Sequence, residues 1–204
     1  MRIVTALVTM AAPLALVIAP NAHGAECPDV ELIFARGTSE PAGAGRVGQA
    51  LANQLAPQLG GRSLGVYGVN YPATYDFLAA ADGAADATNR IAAMSQRCPS
   101  TRYVLGGYSQ GAAVVDMLVG IPPLGDKVGD VGSAPPLPAS LASRVAAVAV
   151  FGNPSAKFGR PVSVAMTPFA GKGIDLCADG DPICSQGRNP FAHTSYEKTA
   201  LVGR

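Results

Sequence analysis

Short apolar runs alternate with segments of helical periodicity along most of this chain, and this alternation limits its fold more than any other feature. The apolar runs are typical of buried strands and lie at 30–36, 64–71, 101–108, 144–151 and 171–176. The segments that predict helices lie at 47–59, 75–97 and 110–119. Strands joined by helical crossovers run parallel, and a parallel sheet is covered on both faces. The chain is therefore predicted to be an α/β protein with a central parallel sheet of about five strands and helices on both faces.

The segment 120–138 differs from the rest of the chain because it contains five prolines and four glycines. Such a composition prevents regular structure, so this segment is predicted to be a surface crossover. No repeat and no second shift in composition divides the remainder. Residues 26–204 are therefore predicted to form one domain.

Residues 1–25 are predicted to be a signal peptide rather than part of the fold. A short basic start precedes an apolar run at 3–19, and small residues follow it, with cleavage expected after Gly24 or Ala25. A membrane anchor is the weaker alternative for this segment. No second apolar stretch of ~20 residues follows, so no integral membrane span is expected after cleavage. The protein is therefore predicted to be secreted.

The charge balance argues against nucleic acid as a partner. Lys and Arg number 15 against 14 Asp and Glu, which gives a formal net charge of +1. No run of basic residues accompanies this balance, so the chain lacks the electrostatic footprint of a nucleic-acid-binding protein. The substrate need not be charged.

The four cysteines all lie within the predicted secreted domain, at Cys27, Cys98, Cys177 and Cys184. An even number of cysteines behind a signal peptide predicts two disulfides. Three pairings exist, and the short separation of Cys177 and Cys184 favours a local bridge, which leaves Cys27 to pair with Cys98. A zinc site is disfavoured because the spacing offers two nearby thiols and one distant histidine, and no metal is predicted.

The pattern G-x-S-x-G occurs twice, at residues 61–65 and at 107–111. This pattern exposes a nucleophilic serine when it forms a sharp turn between a strand and the helix that follows. Ser109 has this context. Ser63 instead follows a helix and precedes a strand, which indicates a glycine-rich turn. Ser109 is therefore the predicted nucleophile.

The chemistry of a serine nucleophile explains the residues around Ser109. A strained, sharp turn leaves no room for side chains at Gly107 and Gly111, which would collide with the neighbouring strand and helix. The turn also precedes a helix, so backbone N–H groups face the negative charge that develops during attack. The N–H of Gln110 is the expected donor to this oxyanion.

A serine hydroxyl needs a base to remove its proton, and the base is usually histidine. The chain has two histidines, and His23 would leave with the signal peptide, so His193 is the predicted base. The chain order of α/β-hydrolases places an acid between the serine and the histidine, where Asp175, Asp179 and Asp181 are candidates. Asp175 lies within a predicted strand, and spacing alone does not separate the other two.

Several sequence patterns, taken together, resemble the cutinase family. They are Phe34-Ala-Arg-Gly-Thr-Ser-Glu40, Asn70-Tyr-Pro-Ala73, Gly106-Gly-Tyr-Ser-Gln-Gly111, and Cys177-x-x-x-Asp181-x-x-Cys184 followed by His193. They cover nearly the whole of the predicted mature chain and are far more specific than a single G-x-S-x-G. The chain is most similar to the secreted, mycobacterial-type cutinase-like esterases.

The resemblance implies an α/β-hydrolase fold and a catalytic triad of Ser109, Asp181 and His193. It implies the pairings Cys27–Cys98 and Cys177–Cys184, in agreement with their spacing. Relatives continue past the histidine into a full C-terminal helix, whereas this chain stops at Arg204, so either the sequence is truncated or one face of the sheet is thinly covered.

The resemblance also implies that the hydroxyl of Thr38 is a second oxyanion donor beside Gln110. Here Thr38-Ser39 reverses the Ser-Thr order of fungal members, which makes Ser39 an alternative donor.

These residues predict a secreted serine esterase, extracellular or associated with the cell wall, that hydrolyses short to medium acyl esters, lipids or cutin-like polyesters. The enzyme is expected to be a monomer that needs no cofactor and binds an ester substrate. The segment 120–138 lacks the apolar helical face of a lid, so an open, lidless site is expected. Two alternatives are a polysaccharide deacetylase similar to acetylxylan esterases, which the absence of Trp disfavours, and a non-catalytic wall-associated protein on the same fold.

Overall fold

The central element of the structure, a computed structural model that describes residues 27–122, 124 and 130–204, is a five-stranded sheet. The strands are β1 (Val30–Ala35), β2 (Leu64–Gly68), β3 (Arg102–Tyr108), β4 (Val145–Phe151) and β5 (Gly173–Leu176). All five predicted strands are present, each one to three residues shorter than expected. The predicted signal peptide at 1–25 lies outside the described residues.

The sheet has the order β2-β1-β3-β4-β5, and every neighbouring pair of strands is parallel. The chain passes from β1 to β2 on one side, then returns to the other side of β1 and continues outward through β3, β4 and β5. In open parallel sheets a crevice forms at the carboxyl ends of the strands where this direction changes. The topology therefore predicts a site between the ends of β1 and β3.

The helices are α1 (Gly45–Leu55), α2 (Ala80–Arg97), α3 (Gln110–Val119), α4 (Ala139–Ala142) and α5 (Pro190–His193). Short 3-10 turns lie at Ala56–Leu59, Phe77–Ala79, Ala156–Phe158, Val162–Val164, Tyr196–Lys198 and Ala200–Gly203.

The helix α3 has the predicted bounds, whereas the helices predicted at 47–59 and 75–97 each combine an α-helix with a 3-10 turn. Pro57 cannot donate a backbone hydrogen bond, which explains why α1 gives way to a 3-10 turn there. The described residues within 120–138 form no helix or strand, as predicted.

The side chains of β1 alternate between two buried layers, which are the two halves of the core. All six residues of β1 are buried. Ile33 and Ala35 pack in one cluster with residues of α2 and α3. Leu32 and Phe34 pack in the other cluster with α1 and with Tyr196. Helices therefore cover both faces of the sheet, as predicted, and the face beside α1 is completed by 3-10 turns near the C-terminus.

The two disulfides have the expected pairing. Cys27–Cys98 joins the chain before β1 to the end of α2, with a Cα–Cα distance of 5.4 Å. Cys177–Cys184 closes the loop after β5, with a Cα–Cα distance of 5.8 Å. Among the described residues, no helix has the length and hydropathy needed to cross a bilayer.

A polar cluster links α3 to β5 and to the segment that follows β4. The amide nitrogen of Asn153 donates hydrogen bonds to Asp116 Oδ1 at 3.1 Å and to Asp175 Oδ1 at 2.9 Å. Burial raises the pKa of Asp116 to about 7, although hydrogen bonds from Ser155 and Asn153 oppose this change. Burial also raises the pKa of Asp175. The cluster therefore holds two carboxyl groups that resist ionisation.

The substitution Asp116→Asn is expected to stabilise the protein more at pH 8 than at pH 5. The pKa of Asp116 is about 7 in the folded protein and near 3.8 in the unfolded chain, so the stability that it contributes in acid is lost as the pH rises through 7. An asparagine of similar shape carries no charge at either pH. The advantage of the variant in free energy of unfolding should grow by about 1–3 kcal/mol between these pH values.

Chemical denaturation at both pH values measures this difference. The exposed Asp82 in α2 gives a matched control, because Asp82→Asn removes a carboxylate that solvent already surrounds. A pH-independent advantage of Asp116→Asn would show that Asp116 is not the group that titrates.

Candidate active site

Ser109 lies on the sharp turn between β3 and α3, in a backbone conformation with φ 54° and ψ −114° that non-glycine residues rarely adopt. The flanking glycines are required by close backbone approaches. A Cβ on Gly107 would lie 2.2 Å from the carbonyl oxygen of Gly111, and a Cβ on Gly111 would lie 1.9 Å from the carbonyl oxygen of Ala35. The turn is therefore pressed against both its own helix and the end of β1.

The second G-x-S-x-G pattern forms a different structure. Ser63 precedes β2 and is exposed. Its hydroxyl donates to Asp29 Oδ2 at 2.8 Å and accepts from the backbone N–H of Asp29 at 2.9 Å. Through these hydrogen bonds Ser63 connects the start of β1 to the start of β2. Ser63 is not in contact with His193.

His193 lies at the end of the short helix α5 and bridges two of the predicted site residues. Its Nε2 is 2.9 Å from Ser109 Oγ, and its Nδ1 is 2.8 Å from Asp181 Oδ2. The phenol of Tyr108 donates to the backbone carbonyl of His193 at 2.6 Å. Gly152, which follows β4, lies against the ring, since a Cβ there would be 2.7 Å from His193 Cε1. The histidine is thereby held at its backbone and closely packed at its ring.

Asp181 lies in the loop closed by Cys177–Cys184 and is fully buried. Its Oδ1 accepts from the backbone N–H of Ile183 at 2.7 Å, and its Oδ2 accepts from the phenol of Tyr196 at 2.6 Å as well as facing His193. Burial alone would raise the pKa of Asp181, but hydrogen bonds from His193, Tyr196 and the Ile183 N–H outweigh burial and lower it. The carboxyl is therefore held in its ionised form.

The two other acid candidates are placed differently. Asp179 is exposed at the surface of the same loop. Asp175 lies in β5, where it accepts hydrogen bonds from Asn153 and from the backbone N–H of Ser163. The structure thus brings Asp181 alone of the three to the imidazole.

The loop after β1 carries Thr38 and is held by a buried arginine. The guanidinium of Arg36 donates to the carbonyl oxygens of Glu40, Val69, Tyr71 and Pro72. Thr38 Oγ1 donates to Gln110 Oε1 at 3.0 Å, so the loop meets the start of α3.

Ser39 is exposed, has a positive φ of 61°, and uses its N–H to bind the carbonyl of Ala73 at 2.8 Å. Of the two hydroxyl residues, Thr38 is the one in contact with the turn at Ser109.

A pocket of about 250 Å³ opens beside Ser109. Its lining residues are Phe77, Ser109, Gln110, Ala113, Val131, Pro154, Lys157, Phe158, Pro182 and Ile183. Lys157 carries the one charge in this set, and its ammonium donates to the carbonyl of Pro182 at 2.8 Å. The pocket therefore offers a mostly apolar surface next to a serine hydroxyl.

One group of the described residues combines metal-ligand types at short range, namely Cys177, Asp181 and Cys184, whose ligand atoms lie within 4.8 Å of one another. Metal binding requires free thiolates, whereas these two sulfurs are bonded to each other. The oxidised loop is therefore not suited to hold an ion.

The sequence analysis did not identify three residues of this site: Tyr108, Gly152 and Tyr196. Tyr108 lies inside the G-x-S-x-G pattern but carries none of its defining chemistry. Gly152 belongs to no pattern, and its role depends on a contact with a residue 41 positions away. Only the position of Tyr196 three residues after His193 could have drawn attention to it.

Comparisons with known proteins agree with this geometry. The cutinase family model matches residues 26–202. Phospholipase Culp4 of Mycobacterium tuberculosis (strain ATCC 25618 / H37Rv) is 51% identical over 179 residues, which span 88% of this chain and 76% of that protein. Carboxylesterase Culp1 of the same strain is 42% identical over 208 residues, which span 97% of this chain and 89% of that protein.

A solved structure of Trichoderma reesei cutinase in complex with a phosphonate inhibitor superposes with a TM-score of 0.65 at 35% identity, covering 87% of this chain and 74% of that one. The family match spans nearly all described residues. The chain therefore belongs to the cutinase family of serine ester hydrolases.

Proposed function

We propose that this protein hydrolyses carboxylic esters with short to medium acyl chains, in lipids or cutin-like polyesters, through an acyl-enzyme on Ser109. The observation that carries the proposal is the continuous hydrogen-bonded chain from Ser109 Oγ through His193 to Asp181, located beside an apolar pocket. An apolar pocket suits an acyl chain, and the hydroxyl beside it suits attack on the ester carbonyl.

In each half of the proposed reaction, His193 acts first as a base and then as an acid. His193 Nε2 removes the proton of Ser109 as Oγ bonds to the ester carbonyl carbon. When the tetrahedral intermediate collapses, the carbon–oxygen bond to the alcohol breaks, and His193 gives its proton to the leaving alcohol. Water then attacks the acyl carbon in the same way, and Ser109 leaves with its proton restored. Asp181 orients the imidazole and stabilises its cation.

The proposed oxyanion donors are the N–H of Gln110 and the hydroxyl of Thr38. A hydroxyl has a single proton, and that of Thr38 is directed at Gln110 Oε1. Among the described residues, the buried Gln110 Nε2 has no hydrogen-bond partner. A half-turn of the Gln110 amide would let Nε2 donate to Thr38 Oγ1. This rotation would satisfy the buried nitrogen and release the hydroxyl proton for the oxyanion.

The surface supports a substrate that is poorly soluble in water. Tyr75 and Phe191 are 80% and 77% exposed, and they lie two residues before Phe77 of the pocket and two residues before His193. Relatives named as a phospholipase and a carboxylesterase are compatible with lipid and simple ester substrates.

Secretion is part of the proposal. Residues 1–25 would direct export, and residues 26–204 would form the single extracellular or wall-associated domain. Two disulfides in the described residues support an oxidising environment.

Hydrolysis of a p-nitrophenyl ester series from acetyl to palmitoyl, with acetylated xylan and a phospholipid beside it, tests the proposed function. We expect the highest kcat/KM for short or medium acyl chains, and complete loss of activity in Ser109→Ala. Ser63→Ala is the matched control, because its serine has the same motif but binds Asp29. Preference for acetylated xylan, or activity lost in Ser63→Ala and kept in Ser109→Ala, would overturn the proposal.

The substitution Asp181→Asn is expected to lower kcat by roughly 10⁴-fold, because an amide neither selects the reactive tautomer of His193 nor stabilises its cation. Asp179→Asn in the same loop should change kcat by less than about threefold, because Asp179 is exposed. Steady-state kinetics on p-nitrophenyl butyrate measures both variants. The reverse order of effects would move the catalytic acid to Asp179.

A double-mutant cycle tests the oxyanion arrangement. Thr38→Val removes the hydroxyl and is expected to lower kcat by roughly 10²-fold. Gln110→Met keeps the backbone N–H but removes the amide, and it is expected to lower kcat roughly tenfold because the Thr38 proton loses its orientation. In the Thr38→Val background, Gln110→Met should have little further effect. A full additional loss there would show that the amide acts independently of Thr38.

A further inference from the structure

Tyr196 makes a direct contact with the carboxylate that faces His193. Its side chain is fully buried, and its phenol donates to Asp181 Oδ2 at 2.6 Å. This oxygen is the same atom that lies 2.8 Å from His193 Nδ1. Two donors therefore share one carboxylate oxygen.

The direction of the phenol proton follows from its other contact. The oxygen of Tyr196 accepts the backbone N–H of Ala178 at 2.9 Å, so its own proton must point elsewhere. Cys184 Sγ lies 3.3 Å away and is a weak acceptor in a disulfide, whereas Asp181 Oδ2 is an anionic oxygen at a shorter distance. Burial and the hydrogen bond to Asp181 both raise the pKa of Tyr196, which keeps this proton in place.

We propose that Tyr196 is a positioning residue that withdraws negative charge from Asp181 and so keeps His193 unprotonated, and hence active as a base, at lower pH. The proposal rests on the triad proposed above. It adds a residue outside the triad that extends the pH range over which the triad is active.

The other groups near His193 and Asp181 make contacts that differ from that of Tyr196. Tyr108 packs against the imidazole with ring centroids 5.2 Å apart, but its phenol binds the His193 carbonyl rather than Asp181. Lys157 reaches the loop of Asp181 through the carbonyl of Pro182. The charges that act on Tyr108 are those of Glu40, Asp181, Glu197 and Arg46. Beyond His193 itself, the side chain that donates to the Asp181 carboxylate is that of Tyr196.

Loss of the Tyr196 phenol should move the protonation of His193 in the direction opposite to that caused by a displaced Asp181. Without the phenol proton, Asp181 Oδ2 carries more negative charge and attracts a proton on His193 more strongly. His193 then becomes protonated at a higher pH, and activity on the acidic side is lost earlier. If Asp181 merely lost its position, the imidazole would lose its anionic partner and its protonation would move to lower pH.

The test is the pH profile of kcat/KM together with the NMR titration of the His193 ring, which is the sole imidazole in residues 26–204. In Tyr196→Phe both midpoints should move upward by about 0.5–1 pH unit. Tyr103→Phe is the matched control, because it removes an equally buried phenol in the other half of the core, where it contacts Ser95 and the Ile91 carbonyl, and both midpoints should stay in place.

A tyrosine fluorinated once on its ring, introduced at position 196, guards against a folding failure of Tyr196→Phe. It is a more acidic phenol and a stronger donor, so both midpoints should move downward. Unchanged or oppositely moved midpoints in the folded position-196 variants would overturn the role of Tyr196. A wild-type profile that does not follow the His193 titration would instead overturn the proposed triad, so the two failures are distinguishable.

Discussion

The close approach of the turn at Ser109 to the end of β1 is the constraint on which the rest of the site depends. Gly111 lies so near the carbonyl of Ala35 that only a hydrogen fits at its α-carbon, and Gly107 meets the backbone of Gly111 in the same way. This contact seats the start of α3 against the loop after β1. Gln110 and Thr38 are therefore in hydrogen-bond contact although they are 72 residues apart. The unfavourable backbone conformation of Ser109 is tolerated because packing on both sides leaves no alternative.

The site also requires that the Asp181 carboxylate stay ionised although it is shielded from solvent. A comparison with a second buried aspartate, Asp116, shows what determines the charge of such a group. Asp181 is fully buried, yet hydrogen bonds from His193, Tyr196 and a backbone N–H lower its pKa. Asp116 is also buried, and there desolvation prevails and raises the pKa to about 7. The charge of each carboxyl therefore depends on whether the donors around it outweigh its desolvation, as they do at Asp181 and do not at Asp116.

The parallel sheet brings these parts together because all its strands end at the same edge. Thr38 follows β1, Ser109 follows β3, Gly152 follows β4, and Asp181 follows β5. The disulfide Cys177–Cys184 then closes the last of these loops over a short span, and Tyr196 packs beneath it with its phenol against Asp181. Each of these loops thus places one residue in the site, because the sheet brings the loops to the same edge.

Local patterns determined much of this protein. Alternating apolar runs predicted five strands, and the strand-turn-helix order separated Ser109 from Ser63, because such signals depend on a few neighbouring residues. Spacing did not choose between Asp179 and Asp181; only the family resemblance did so. Gly152 carried no local signal, and the signal of Tyr196 was limited to its position three residues after His193. Only the tertiary structure decided which aspartate faces the imidazole and which phenol supports it, because hydrogen bonds such as that between Ser109 and His193, 84 residues apart, depend on how loops meet after the sheet has formed.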